Sequence, residues 1–193
     1  MDLLALLDEL RITSQNGKKY ADNPYDEARY ERILELTAEW YGHALNLPPA
    51  EVRDRFAEEL GHVTPKLGGD AAVFDDEGRL LVQRRADDGT WGLPGGFVDP
   101  DESPRETAVR ETREETGLVV EPEELIGVYS RKPGEYGPHS LVIHLYRCTR
   151  IDGEIETSPE TEAVEYRPVD EVDDWHRNHG NVAQEAVEHC DQH

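Results

Sequence analysis

Apolar positions along the chain keep a helical period at first and then shorten to strand-like runs. Over residues 3–16, Leu3, Leu6, Leu7, Leu10 and Ile12 fall mostly on one stripe that ends near Asn16-Gly17. A second helix is expected to start at Asn23-Pro24, where Tyr30, Ile33, Leu34, Thr37, Trp40, Tyr41 and Ala44 form a wide apolar face. A third, over residues 49–60, uses Val52, Phe56 and Leu60 and stops at Gly61. These helices predict a small all-α unit over residues 1–62, whose exposed apolar stripe needs cover from the rest of the chain or from a second subunit. After Thr64-Pro65-Lys66, the junction to a second domain over residues 63–193, residues 70–74 and 79–83 read as strands joined by the hairpin signal Asp75-Asp76-Glu77-Gly78. Residues 125–132, 140–147 and 163–167 read as further strands, with a helix following Pro168.

The helix between these strands carries the candidate chemistry. Ser103-Pro104-Arg105-Glu106 is a capping box with proline at the first helical position, so the helix should begin at Pro104, and Gly117 can take the left-handed conformation that closes it. Glu111, Glu114 and Glu115 are spaced i, i+3 and i, i+4, which sets three carboxylates side by side while Val109, Thr112 and Thr116 face the other way. Like charges so close repel, and a hard divalent cation such as Mg²⁺, completed by water and substrate phosphate, is the usual compensation. Arg110 stands beside the cluster and can orient one carboxylate. A solvated glutamate-rich face is the plain alternative. Ahead of the helix, Gly95-Gly96 lets backbone approach a ligand closely. Trp91 can stack on a base there, but packing beside Leu93 suits an indole better.

Gly96, Glu102, Arg110-Glu111, Glu114-Glu115, Gly117 and Leu118, at the intervals at which they stand, resemble the Nudix box of hydrolases that cleave a nucleoside diphosphate linked to another group. Thr112 departs from it, standing where the family usually has an aliphatic residue. The resemblance implies a Nudix α/β/α sandwich with a mixed sheet and Mg²⁺-dependent pyrophosphohydrolysis, with Mn²⁺ able to substitute. The products would be a nucleoside monophosphate and a phosphorylated group. It implies Glu111, Glu114, Glu115 and the Gly95 carbonyl as metal ligands, Glu114 alternatively as base, Arg110 as the group that orients Glu111, and Glu102 as an outer partner. Glu160 or Glu162 is implied as an extra ligand or general base. Ser14-Gln15-Asn16-Gly17, Tyr20-Ala21, Asn23-Pro24-Tyr25-Asp26 and Arg29-Tyr30-Glu31-Arg32 resemble the helical module that precedes the Nudix domain in a subgroup including CDP-choline and ADP-ribose pyrophosphatases. Those enzymes pair through the module, which implies a homodimer; a monomeric cap is the alternative. Two rival functions are a pyrophosphatase of oxidised nucleoside triphosphates and a non-catalytic Nudix-shaped binding module. The intact charged positions speak against the second.

The connection from Pro133 to His139 is rich in turn formers and is the natural place for substrate selection, or else an ordinary hairpin tip. Arg84, Tyr136 and His139 are the candidate substrate contacts. In Trp175-His176-Arg177-Asn178-His179 the two histidines are expected to be surface residues near a helix start, because a structural zinc wants four nitrogen or sulfur ligands and none stand at suitable spacing.

Composition changes the picture in one respect. Forty-three acidic residues against twenty basic ones give a formal charge of −23, and only Lys18, Lys19, Lys66 and Lys132 are lysines. Self-repulsion of that size opposes compaction unless ions screen it, as about 1 M salt does by shortening the Debye length to about 3 Å. A halophilic host is the expectation, with an acidic mesophilic protein as the alternative. So acidic a surface argues against nucleic acid as a partner. The chain has no run of eighteen apolar residues and no signal-peptide pattern, and Cys148 and Cys190 stand isolated, which together lead to an expectation of a cytoplasmic protein acting on a small nucleotide.

Overall fold

The computed structural model describes residues 3–57, 64–99, 102–136 and 139–190. The chain divides into two compact units, Met1–Pro65 with Arg131–Leu141, and Lys66–Ser130 with Val142–His193. In the first, α1 (Leu3–Tyr20), α2 (Pro24–Leu45) and α3 (Pro49–Ala57) surround a small core of Leu7, Ala38, Tyr41, Val52 and Phe56. Asn23 caps α2 by accepting from the Tyr25 and Asp26 amides, and Asn46 ends it in the left-handed conformation at φ 55°. The expected end of the third helix, Leu60-Gly61, lies outside the described residues.

One expectation for α1 needs correction. The helix does not end at Asn16-Gly17 but continues to Tyr20. Gly17 serves close approach rather than termination, since any side chain there would collide with the Tyr30 ring of α2. The leucine stripe is split between the core and the surface. Leu7, Arg11 and Ser14 point inward, whereas Leu3, Leu6 and Leu10 remain 47%, 41% and 39% exposed. Arg11 tolerates burial because Asp8 takes its charge at 2.6 Å and the Phe56 ring lies 5.4 Å from its guanidinium carbon.

The second unit holds a four-stranded sheet in the order β4-β1-β6-β5 and a three-stranded sheet in the order β3-β2-β7. The strands are β1 (Lys66–Val73), β2 (Leu80–Arg85), β3 (Trp91–Gly92), β4 (Gly95–Phe97), β5 (Leu118–Arg131), β6 (Leu141–Gly153) and β7 (Thr161–Arg167). Side chains alternate across β1 and β2. Ala71, Val73 and Leu81 join Ala108 of α4 (Pro104–Thr116) in one core, whereas Ala72, Leu80 and Val82 join Val182, Ala183 and Ala186 of α5 (His179–Cys190) in another. The result is the α/β/α sandwich expected, with strands of both orientations between helices.

The turn at Asp75–Gly78 forms, with the Asp75 amide on the Arg79 carbonyl at 3.0 Å. The strands it joins nevertheless part after a single bridge from Phe74 to Leu80 and enter different sheets. β5 and β6 also run longer than expected, and β5 starts early because Gly117 at φ 77° turns the chain from helix straight into strand at Leu118. The segment after Pro168 gives only a short 3₁₀ turn over Val169–Glu171 before α5.

Candidate active site

The acidic cluster is assembled where α4 meets the edge formed by β1 and β4. The helix is capped as its sequence dictates, with Ser103 and Glu106 reciprocally bonded and Gly117 closing the far end. In β4, Gly95 stands opposite Asp70 and Gly96 opposite Gly69. A side chain at Gly96 would overlap the Glu111 carboxylate, and one at Gly95 would overlap that of Asp70. The two glycines therefore keep a space that carboxylates, rather than methyl groups, fill.

Arg110 organises the charges. Its Nε and Nη2 donate to the two Glu102 oxygens at 3.0 and 2.9 Å, while Nη1 donates to Glu111 at 2.8 Å and Glu114 at 3.2 Å. The Phe97 carbonyl accepts a further bond from Nη2 at 3.1 Å. The hydrogen bond from Arg110, with others from Thr107 and the Asp99 amide, holds the Glu102 carboxyl down at about 2. Thr112 and Thr116, both buried, satisfy their hydroxyls on the carbonyls four residues back, so the departure from an aliphatic residue at 112 leaves no unpaired donor.

Glu115 is 7% exposed and accepts from the Gly95 amide at 2.9 Å. Burial, reinforced by the Glu111 and Glu160 charges, pushes its carboxyl up to about 7 against hydrogen bonds from Gln83 and Gly95. Burial also raises Glu111, with Glu114 and Glu160 adding to the effect and Arg110 opposing it. Glu114, by contrast, is 59% exposed.

Of the two later glutamates, Glu160 lies beside the cluster, lining with Glu115 and Arg85 a cavity of about 360 Å³. Glu162 faces Arg84 at 3.7 Å, and Arg84 also donates to the Gly89 carbonyl at 3.0 Å. Tyr136 and His139 belong to the helical unit, where Tyr136 lies under Arg131 and buried His139 meets the Phe56 ring edge-on. Trp91 packs against the α5 side of the core, with Arg167 over its ring at 5.1 Å.

The donors gathered here are all oxygen, partly desolvated and mutually repelling, which fits a hard divalent cation. Glu111, Glu114, Glu115 and the Gly95 carbonyl could hold one. Among the described residues no three acidic, histidine or cysteine side chains already converge as a finished cage, and the Arg110 guanidinium is the counter-charge. Three neighbours of the site escaped the sequence reading: Asp70, Gln83 and Arg85. A single acid in the run Asp70-Ala71-Ala72-Val73 and a single amide after Leu80-Leu81-Val82 were signals, since a polar residue inside a buried strand needs a local reason.

Residues 64–186 match the NUDIX domain model, and residues 1–56 match the model described as a UDP-X-like, N-terminal oligomerisation domain. A candidate ADP-ribose pyrophosphatase of Bacillus subtilis is 32% identical over 167 residues, covering 84% of this chain and 79% of that protein. An ADP-ribose pyrophosphatase of Methanocaldococcus jannaschii is 32% identical over 107 residues, 54% of this chain and 63% of that protein. Among solved structures, a UDP-X diphosphatase superposes over 99% of this chain and 94% of its own with a TM-score of 0.61 at 23% identity, a likeness of fold. An ADP-ribose pyrophosphatase from Streptococcus suis gives a TM-score of 0.57 at 28% identity, covering 66% of this chain and 92% of its own.

Proposed function

The chain belongs to the NUDIX family, and on that premise we propose how its acidic cluster serves the reaction. It is a hydrolase of a nucleoside diphosphate linked to another moiety, in a family that uses divalent metal ions. Our reading of the finer chemistry rests on one observation: Glu111, Glu115 and Glu160 bear on one another beside Gly95 and Gly96, which leave room for the Asp70 and Glu111 carboxylates. Glu111, Glu114, Glu115 and the Gly95 carbonyl would hold Mg²⁺, which when bound supplies charge neutralisation and polarises phosphate oxygen. Arg110 fixes the Glu111 and Glu114 carboxylates, and Glu102 fixes Arg110 in turn. In the reaction a water oxygen bonds to one phosphorus of the bridge as the bond to the bridging oxygen breaks. A nucleoside monophosphate and a phosphorylated moiety result. We assign the proton that the attacking water must lose to the Glu160 carboxylate, because Glu162 is turned to Arg84.

ADP-ribose is the first substrate to test, since two relatives carry that name. A panel of ADP-ribose, CDP-choline, NADH and 8-oxo-dGTP with Mg²⁺ and with EDTA checks the reading. Turnover of a nucleotide linked to another moiety is expected with Mg²⁺ and none with EDTA; metal-independent turnover would sink the cluster's role. The outward leucines of α1 and the match to an oligomerisation domain support a homodimer built through the helical unit. The charge of −23 supports a salt-rich cytoplasm as the working medium, with a melting temperature that rises between dilute buffer and molar KCl.

A further inference from the structure

The short segment between β7 and α5 holds a feature that the acidic cluster does not explain. Two non-glycine residues in it, Asp174 at φ 55° and Arg177 at φ 50°, adopt the left-handed conformation that side chains disfavour. Strain of that kind persists where surrounding bonds over-determine the backbone. Several of the bonds here run to one partner, the segment that leads into Gly95. The Trp91 amide donates to the Asp174 carbonyl at 3.0 Å, and the His176 amide returns a bond to the Trp91 carbonyl at 2.6 Å. The His176 ring adds contacts to Asp88 at 3.0 Å and Thr90 at 3.2 Å. One turn on, at the start of α5, Nδ1 of His179 accepts the Leu93 amide at 3.0 Å.

Two glycines make this seating possible. A Cβ at Gly92 would crowd the His179 ring at 3.3 Å, and one at Gly180 would meet the Trp175 indole at 2.8 Å. The histidines that the sequence suggested were surface residues are thus fastened to strand backbone. Two residues beyond Leu93, the Gly95 amide meets Glu115.

We propose that His179 is a positioning residue for hydrolysis, its Nδ1 holding the Leu93 amide so that Gly95 presents its backbone to Glu115 and to the substrate's diphosphate. His176 braces the same segment from the Asp88–Thr90 side. This inference rests on the reading of Gly95 and Glu115 given above. Among the described residues the β2 to β3 ladder stops at Gly92, and the Leu93 amide donates to the His179 ring instead of a strand carbonyl. The imidazole therefore does the work of a strand neighbour at the point where the sheet runs out.

The test compares His179→Leu with His179→Asn, whose side-chain oxygen can accept where Nδ1 does, on whichever panel substrate the wild type turns over with Mg²⁺. Exchange of the Leu93 amide and melting temperature are measured alongside. The leucine variant should lose about 10-fold to 100-fold in kcat with KM little changed, and its Leu93 amide should exchange faster. Asparagine should restore both. Wild-type kcat in the leucine variant despite fast exchange would overturn the proposal, as would an asparagine variant as impaired as leucine. Should leucine prevent folding, His179→Ala against His179→Asn carries the same comparison. Glu115→Gln run in parallel separates the two levels: if it stays fully active the reading of the cluster fails, whereas an inactive Glu115→Gln beside an unaffected His179→Leu removes the clasp alone.

Discussion

Helices α1 and α4 are both amphipathic, yet they spend their apolar residues in opposite ways. α1 turns Leu3, Leu6 and Leu10 outward and buries Arg11 and Ser14. α4 has little hydrophobic surface and packs through Ala108, Thr112 and Thr116, small or back-bonded side chains, while its first turn sits close on β1 where Gly69 meets Pro104 and Thr107. Hydrophobicity alone therefore does not mark the buried face of α1, whereas size and hydrogen-bond satisfaction locate that of α4. An outward leucine stripe is a demand for a partner, and an inward threonine stripe is a device for holding one face of carboxylates at a fixed height.

The contrast can be broken at several points. The largest effect should come from α4: Glu115→Gln keeps the shape but removes the charge that Gly95 meets, and should reduce kcat by about 10³-fold with the fold retained by circular dichroism. Next comes the inward side of α1, where Leu7→Ala should lower unfolding free energy by about 2–5 kcal/mol in urea titration. On its outward side, Leu6→Glu with Leu10→Glu should leave that free energy nearly unchanged but weaken self-association by about 100-fold in sedimentation equilibrium. If instead the monomer unfolds, the stripe is core and the contrast fails.

A smaller effect concerns pH. The folded Glu102 carboxyl sits at about 2, below its ordinary 4.5, so its contribution is complete above pH 4.5 and is lost as pH falls towards 2. Between those limits the wild type should lose melting temperature faster than Glu102→Gln does. The smallest is Thr112→Val, which restores the family's usual aliphatic character and should change stability by about 1 kcal/mol or less, because the Thr112 hydroxyl bonds only to a carbonyl of its own helix.

What the sequence made legible was whatever local rules decide. Ser103, Pro104, Glu106 and Gly117 dictated the ends of α4, and the apolar runs of β1 and β2 marked them as strands, while which residues face which helix came only with the packing. The spacing of Glu111, Glu114 and Glu115 carried the candidate site. The choice between Glu160 and Glu162 did not follow, because two residues of one strand entry differ only in which neighbour each meets. The parting of β1 and β2 after their turn was hidden for the same reason, since strand pairing depends on distant partners such as β7. His179 carried a weak signal in its place before an apolar helix stripe. Its acceptor role depends on a backbone amide eighty-six positions away.

One feature of the connectivity bears on how the molecule comes apart. The polypeptide passes from one unit to the other after Pro65, again after Ser130 and again after Leu141. Within the first unit, Gly134 sits against Leu4 and Leu45, and His139 sits on Phe56. Melting the helices would therefore strip the seat from a hairpin tip whose two arms are β5 and β6. The first unit is therefore discontinuous in sequence, and a cut after Pro65 removes the helices on which Gly134 and His139 pack.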